Sequence, residues 1–277
     1  MKAEDYHASA GLSNSMMTKL LKSPAHLKHY MDNQDPPTPA MILGEQVHTM
    51  LLEPENANFV KAPGTRRTKE GKAHYQELLD KGYEPKDIIK SDTYDQIERM
   101  VASVMSHPFA SQIINSAKDG GGIEESLFWH QPIHEDKDGG WYDGIECKAR
   151  VDIVPSQRSM FNDSLVDFKT TIDASPEAFA KSVFNFGYYR QAAHYLHGWN
   201  NLHDEYRDKF IIIACEKTPP YAVAVYELDN GSIELGGYEV ARLRAWYAEC
   251  VDNDDWPSYG KTIHTLELPA WATPQIG

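Results

Sequence analysis

Three short stretches place acidic side chains among apolar, strand-forming residues. Glu124 and Glu125 precede Ser-Leu-Phe-Trp, Asp152 follows Ala-Arg-Val, and Asp167 follows Ser-Leu-Val. Strands normally bury apolar residues, so carboxylates repeatedly set among them need partners, and a divalent cation is a natural one. Lys169 lies two residues after Asp167 and on the same strand face, because side chains alternate with period two. These residues together predict a site for a divalent metal beside a lysine.

The spacing of an acid two residues before a lysine is not specific by itself. It recurs along the chain, starting at Glu70, Glu84, Glu135, Glu146 and Asp167. Only the last two lie in strand-like sequence, since the others lie in polar helix-like, loop or turn sequence. Between residues 145 and 153 the even positions are charged and the odd ones apolar, which predicts a half-buried strand whose charged face meets water. That face carries either paired surface charges alone or, at its end, the site residue Asp152.

Length and cysteine usage limit the class of protein. A chain of 277 residues can form one large domain or two small ones and can bury a full core without disulfides. Cys147, Cys215 and Cys250 are widely spaced, which argues against a disulfide framework, a cysteine zinc site and an iron–sulfur cluster. We find no signal-peptide pattern at the start and no apolar run near the roughly 18 to 20 residues of a membrane span. We therefore expect a protein of the reducing cytoplasm without a membrane partner.

The charge distribution is uneven. The formal net charge of −14 would repel nucleic acid at long range. Residues 1–120 hold 14 Lys and Arg against 16 Asp and Glu, whereas residues 121–277 hold 13 against 25. Bound metal would neutralise part of the excess negative charge of residues 121–277. Arg66, Arg67, Lys69 and Lys72 form a compact basic cluster, which is either a DNA-contacting patch or a solvated helix start.

Patterning predicts a mixed α/β fold with a helical N-terminal part. Ser13 or Ser15 can cap a first helix, Ser23-Pro24 starts another, and Pro54 ends a third. Strands follow from about residue 118, and a long helix covers about 187 to 205. We expect one domain over residues 1–277, with a mainly helical part (1–117), the catalytic sheet and helix (118–228), and a C-terminal helix and tail (229–277).

Two further features admit a structural as well as a functional interpretation. Tyr188, Gln191 and Tyr195 have helical spacing and share one face, which either lines a cleft or packs against the sheet. His48 lies beside an apolar helical stripe, where a histidine is either a hydrogen-bonded structural residue or a ligand.

In their order along the chain, these motifs resemble those of the RecE-type (exonuclease VIII) members of the PD-(D/E)XK nuclease superfamily, near its RecB-like branch. The resemblance runs through nearly the whole chain, and its carriers are Leu12-Ser13-Asn14-Ser15, the segment from Leu43 through His48 to Pro54, Arg67-Thr68-Lys69-Glu70-Gly71-Lys72, Glu124-Glu125-Ser126-Leu127-Phe128-Trp129, Cys147-Lys148-Ala149-Arg150-Val151-Asp152, Val166-Asp167-Phe168-Lys169-Thr170-Thr171, and the helix from Tyr188 through Gln191 to Tyr195. One departure is Val151, where the superfamily signature has proline. The Glu-x-Ser pattern points to Glu124 rather than Glu125.

The resemblance implies a PD-(D/E)XK core, a mixed central sheet flanked by helices, and DNA hydrolysis with Mg²⁺ or Mn²⁺. It also implies a set of metal and water ligands: Asp152, Asp167, the Phe168 carbonyl, Glu124 and His48. Lys169 would orient or deprotonate the water, and Gln191 would hold Lys169 or the scissile phosphate. Tyr188 and Tyr195 would stack on or contact the strand.

The resemblance further implies the substrate and the partners. It implies 5′-to-3′ digestion from double-stranded DNA ends, which leaves a 3′ single strand for recombination. A single-strand annealing protein would receive that strand, and a ring-shaped tetramer would enclose the DNA. Two alternatives stay open: a structure-specific or restriction-like endonuclease of the same chemistry, and a noncatalytic DNA-end binding module.

Overall fold

The structure is a computed structural model that describes residues 1, 3–33, 36–65, 67–133, 142–260 and 262–267. The helices of this part of the chain are α1 (Ala3–Ala8), α2 (Asn14–Leu20), α3 (Pro24–Asp32), α4 (Pro39–Leu52), α5 (Lys69–Asp80), α6 (Ser91–Ser106), α7 (Pro108–Lys118), α8 (Pro176–Phe186), α9 (Tyr188–Leu202) and α10 (Asn230–Asn253). The strands are β1 (Val60–Lys61), β2 (Ile88–Ile89), β3 (Gly122–Ile133), β4 (Tyr142–Val154), β5 (Ser164–Thr171), β6 (Lys209–Glu216) and β7 (Val223–Glu227).

The described strands form a small parallel pair and one larger sheet. The larger sheet has five strands in the order β3-β4-β5-β6-β7, and the pair is β1 with β2. Within the larger sheet β5 and β6 run parallel, and the other neighbours are antiparallel. Helices flank the sheet, so the predicted mixed α/β class is confirmed. The division of the chain into one domain with three parts stays a prediction.

Apolar clusters lie on both faces of the sheet, as the period-two alternation of its strands requires. Leu165, Phe210 and Ile212 face a cluster with residues of α2, α9 and α10. Val166 and Ile211 face the opposite cluster with residues of α4, α6 and α7. The β5 strand, buried on both sides, can therefore carry a polar side chain only where a neighbour satisfies it.

Capping residues fix several predicted helix starts. The Ser13 hydroxyl accepts the Met16 N–H, so Ser13 rather than Ser15 caps α2, and Ser23 caps α3 before Pro24. The helical run between residues 91 and 118 breaks at His107, directly before Pro108. Among the described helices, none is long and apolar enough to cross a membrane.

The β4 and β5 strands pair over a short distance and then diverge. Within the described residues, Ile153 of β4 pairs with Val166 of β5. Further back along β4, Leu12 replaces β5, because its N–H donates to the Glu146 carbonyl and its carbonyl accepts the Lys148 N–H. The N-terminal segment therefore completes the edge of β4, and an opening lies between the two strands near Asp152.

Candidate metal centre

The Asp167 and Lys169 side chains lie together at the end of β5. Asp167 Oδ2 is 2.6 Å from Lys169 Nζ, and the Asp167 side chain is 1% exposed. Gln191 of α9 donates from Nε2 to Asp167 Oδ1 at 2.6 Å. Gln191 was expected to hold Lys169 or a phosphate, but its hydrogen bond goes to Asp167, the ionic partner of Lys169.

Asp152 faces this pair from β4, across the opening between the strands. Its Oδ2 accepts the Phe168 N–H at 2.8 Å and lies 3.2 Å from His48 Nε2. The N–H and C=O of a strand residue point to the same edge, so the Phe168 carbonyl also faces β4. The helix α4 supplies His48, whose ring lies 6.2 Å from the Phe168 ring. The strands β4 and β5 and the helix α4 thus bring these side chains together.

Glu124 completes the acidic cluster from β3. Its Oε1 is 3.2 Å from His48 Nε2, and its Oε2 accepts a short hydrogen bond from Arg150 Nε. The backbone of Glu124 is left-handed, with φ of 55°, a conformation that costs a non-glycine residue roughly 1–2 kcal/mol. Such strain persists where surrounding contacts impose it. Glu125, by contrast, is exposed, so the structure places Glu124 in the site.

The electrostatics of the cluster are those of acids that need a cation. Burial and the neighbouring Asp152 raise the pKa of Asp167 to about 6 and also raise the pKa of Glu124. Burial alone would raise the pKa of Asp152, but His48, Lys169 and the Phe168 N–H outweigh it and lower that pKa. Burial lowers the pKa of His48, yet Asp152, Glu124 and Asp167 dominate and raise it to about 9. In the protein without metal, the His48 imidazolium therefore balances the acids.

The donor set fits a divalent metal. One ligand atom each from His48, Glu124 and Asp152 lie within 4.8 Å of one another. Asp167 Oδ2 is buried and accepts no well-directed hydrogen bond within the described residues, in spite of its close ionic contact with Lys169. A buried carboxylate oxygen with free acceptor capacity suits a hard divalent cation.

The centre lies at the base of a cleft of about 920 Å³. The walls come from α4, α8 and the end of β5, and Tyr188 lines the cleft with its ring 5.1 Å from Lys169 Nζ. The cleft-lining residues of the described chain do not include Tyr195. The Tyr195 ring instead packs against Phe210, 6.3 Å away, and takes part in the core, so the structure does not support the expected stacking on DNA.

The predicted water-facing side of β4 is wrong for two of its charged residues. Lys148 is buried, and its Nζ donates to the carbonyls of Tyr6, His7 and Ser9 at 2.6–3.3 Å. Arg150 is bound to Glu124. The N-terminal segment covers this face, a contact between distant parts of the chain that the alternation of β4 cannot reveal. Glu146 does remain exposed, with His130 at 3.0 Å.

The basic cluster does not line the cleft. Arg67, Lys69 and Lys72 are exposed at the start of α5, where Thr68 provides the cap, and the lining residues do not include them. Arg66 lies outside the described residues. A role of these residues in DNA binding therefore stays a prediction.

Sequence reasoning missed three residues that shape the site. Arg150 shares a strand face with Asp152 by simple alternation, so the sequence contained the signal for it. The sequence contained no such signal for Tyr6 and His7, because α1 reaches the site through long-range contacts. The Tyr6 ring lies 5.9 Å from the Arg150 guanidinium, and His7 lines the cleft.

Comparison with known proteins identifies the family. The model of a family described as a PDDEXK-like domain of unknown function (DUF3799) matches residues 13–269. A crystal structure of a candidate exonuclease from Eubacterium rectale is similar with a TM-score of 0.59 at 13% identity, over 97% of this chain and 95% of that one. A phage-related exonuclease from Haemophilus somnus 129PT gives a TM-score of 0.34 at 12% identity, over 91% of this chain and 100% of that one. No curated protein sequence matches significantly. Because the family model spans most of its length, the chain belongs to the PDDEXK-like family DUF3799.

Proposed function

We propose that the protein is a Mg²⁺- or Mn²⁺-dependent exonuclease that hydrolyses phosphodiester bonds from duplex DNA ends. The observation that carries the proposal is the cluster of Glu124, Asp152 and His48, whose ligand atoms lie within 4.8 Å of one another, next to the ion pair of Asp167 with Lys169. The fold shared with the Eubacterium rectale candidate exonuclease supports it.

Asp152, Asp167, Glu124 and His48 would hold the metal. When bound there, the metal would neutralise phosphate charge, lower the pKa of water and stabilise the leaving oxygen. Lys169 would orient the attacking water, since its Nζ lies at the cleft beside the acids.

Surrounding residues would keep these groups in place. The Gln191 amide fixes one oxygen of Asp167 and leaves the other toward Lys169. Arg150 fixes Glu124 in the same way from the opposite side. A preorganised set of this kind accelerates a reaction because little reorganisation is needed when charge develops.

By resemblance to RecE-type enzymes, the reaction would proceed 5′ to 3′ and leave a 3′ strand for an annealing protein. A ring of subunits would hold the acidic protein on DNA, because enclosure of the duplex replaces net attraction. Light scattering tests the ring, and a monomer at micromolar concentration would exclude it.

The decisive experiment compares linear with covalently closed circular duplex DNA, in Mg²⁺ and in EDTA. We expect release of nucleotides from the linear DNA in Mg²⁺ alone. Cleavage of the circle would indicate an endonuclease instead. An absence of metal-dependent cleavage, with binding to ends retained, would indicate a noncatalytic module.

A further inference from the structure

The mouth of the cleft carries exposed apolar side chains from three separate elements. Met41 of α4 is 62% exposed, Ile172 after β5 is 81% exposed and Phe186 at the end of α8 is 60% exposed. All three line the cleft. Single exposed apolar residues are common on proteins, but residues of three elements around one opening form a shared surface.

An aromatic series connects this mouth to the metal centre. The Phe186 ring lies 5.8 Å from the Tyr188 ring with an interplanar angle of 30°, and the Tyr188 ring lies 5.1 Å from Lys169 Nζ. Gly187, between the two aromatic residues, has φ of 68°, and an added Cβ would lie 2.1 Å from Arg190 Nη2. This glycine turn therefore fixes where α8 presents Phe186 and where α9 presents Tyr188.

The charges at the mouth disfavour a track of phosphates. Glu45 of α4, Glu53 directly after α4 and Asp173 beside Ile172 line the cleft, and the cation Lys217 lines it as well. Phosphates of a strand would be repelled by these acids, whereas neutral planar bases would meet apolar and aromatic side chains. Aromatic platforms of this kind bind single-stranded nucleic acid by stacking, with little dependence on base sequence.

We propose that the mouth formed by Met41, Ile172 and Phe186 is a binding site for unpaired nucleobases. Phe186 stacks on a base, Ile172 and Met41 contact its other faces, and the flanking phosphate reaches the metal centre. The strand to be cut is therefore unpaired at the mouth. This inference rests on the proposed function and specifies the form of the substrate.

Binding of a short single strand with a terminal 2-aminopurine tests the site, with fluorescence as the readout. The measurement uses a Lys169→Ala background in Mg²⁺, so that the acids retain metal while cleavage is suppressed. Phe186→Ala should weaken binding on the order of 5- to 150-fold, the effect of removing one base–aromatic stack. Phe184→Ala is the matched control, since Phe184 is equally exposed on α8 at 65% but stacks on Tyr189 and does not line the cleft.

Two further probes separate base contact from other causes. An abasic strand of equal length keeps the phosphates, so the Phe186→Ala effect should vanish on it, and the salt dependence of binding should not change. Equal losses on the abasic strand, or equal effects of the Phe184 and Phe186 substitutions, would overturn the proposal. Phe186→Trp should restore binding.

Cleavage of duplex ends gives an independent readout. In the otherwise unsubstituted protein, Phe186→Ala should slow the release of nucleotides from fully paired ends. The rate should recover on ends whose terminal bases are mismatched. A loss of rate that is the same on both ends contradicts the proposal. If the unsubstituted protein releases no nucleotide from any DNA, the proposed function fails, whereas the binding measurement still decides whether the mouth takes bases.

Discussion

The sequences Asp167-Phe168-Lys169 and Glu146-Cys147-Lys148 share their spacing and lie on neighbouring strands, yet the two lysines have different surroundings. Lys169 points toward carboxylates and a cleft. Lys148 points into backbone carbonyls of the N-terminal segment, while its motif partner Glu146 faces outward to His130. Spacing alone therefore does not make a site, and the difference comes from what lies opposite each lysine.

The helix α9 serves both regions. Gln191 donates to Asp167, whereas His194, three residues later on the same helical face, contacts the Lys148 carbonyl at 3.1 Å. His194 Nδ1 also lies 3.1 Å from Arg244 Nη2. The neutral imidazole with a proton on Nε2 satisfies both contacts. The helix α9 thus contacts the partner of Lys169 near its start and the backbone of Lys148 one turn further.

The largest contrast should appear when each lysine is removed. Lys169→Ala should lower the cleavage rate by about 10²- to 10⁴-fold, the range for loss of a proton-transfer or water-orienting group. Asp167→Ala should likewise abolish cleavage. Folding should be retained in Lys169→Ala, because Asp167 can take up a proton once its partner is gone, as its raised pKa favours. It should be retained in Asp167→Ala because Asp152 still lies near the Lys169 ammonium group. Normal turnover by either variant would rule out the proposed mechanism. Circular dichroism is the control for folding.

The affinity of the centre for metal should depend on pH because of the proton on His48. The raised pKa of His48, about 9, means that a proton must leave before the imidazole can bind metal. Mn²⁺ affinity should therefore rise by up to about tenfold per pH unit between pH 7 and 9. Calorimetric titration measures it, and His48→Gln is the control, with a weaker but nearly pH-independent affinity. A flat profile in the unsubstituted protein would exclude His48 as a ligand.

Loss of the structural lysine should act on stability rather than chemistry. Lys148→Met removes hydrogen bonds from a buried ammonium group to three carbonyls. We expect the free energy of unfolding to fall by about 2–4 kcal/mol, because bonds to charged groups contribute more than neutral ones. Hydrogen exchange at residues 6–12 should accelerate. A rate loss as large as that of Lys169→Ala, with stability unchanged, would reverse the assignment of the two lysines.

The smallest expected effect is the pH dependence of stability from His194. Burial and Arg244 lower its pKa to about 3, below the unfolded value near 6.5. The unfolded chain thus binds the proton more readily, so this contribution is present above about pH 6.5 and is lost as pH falls toward 3. Between pH 7 and 5.5 the loss should be about 1 kcal/mol. Denaturant unfolding of His194→Gln should lack this component, and an unchanged slope would show that other groups cause it.

Strand and helix signals predicted much of the fold and the acidic centre. Asp152, Asp167 and Lys169 were predictable because period-two alternation fixes which side chains share a face. The surroundings of Lys148 and Arg150 were not, since they depend on α1 and Leu12 returning to β4 over more than 100 positions. Such long-range contacts leave no periodic trace in the sequence. Tyr195 shows the same limit, because one helical face carries both the cleft residue Tyr188 and a residue of the core.

The divergence of β4 and β5 gives the centre an unusual coupling to the sheet. Asp152 takes the place of a main-chain acceptor for the Phe168 amide, so a ligand that draws this carboxylate away also exposes a backbone N–H. Amide exchange at Phe168 would then report occupancy of the centre directly. A continuous hydrogen-bond ladder between β4 and β5 would stabilise the sheet but would leave no room for the acidic cluster. A more stable sheet is therefore incompatible with the centre at this position.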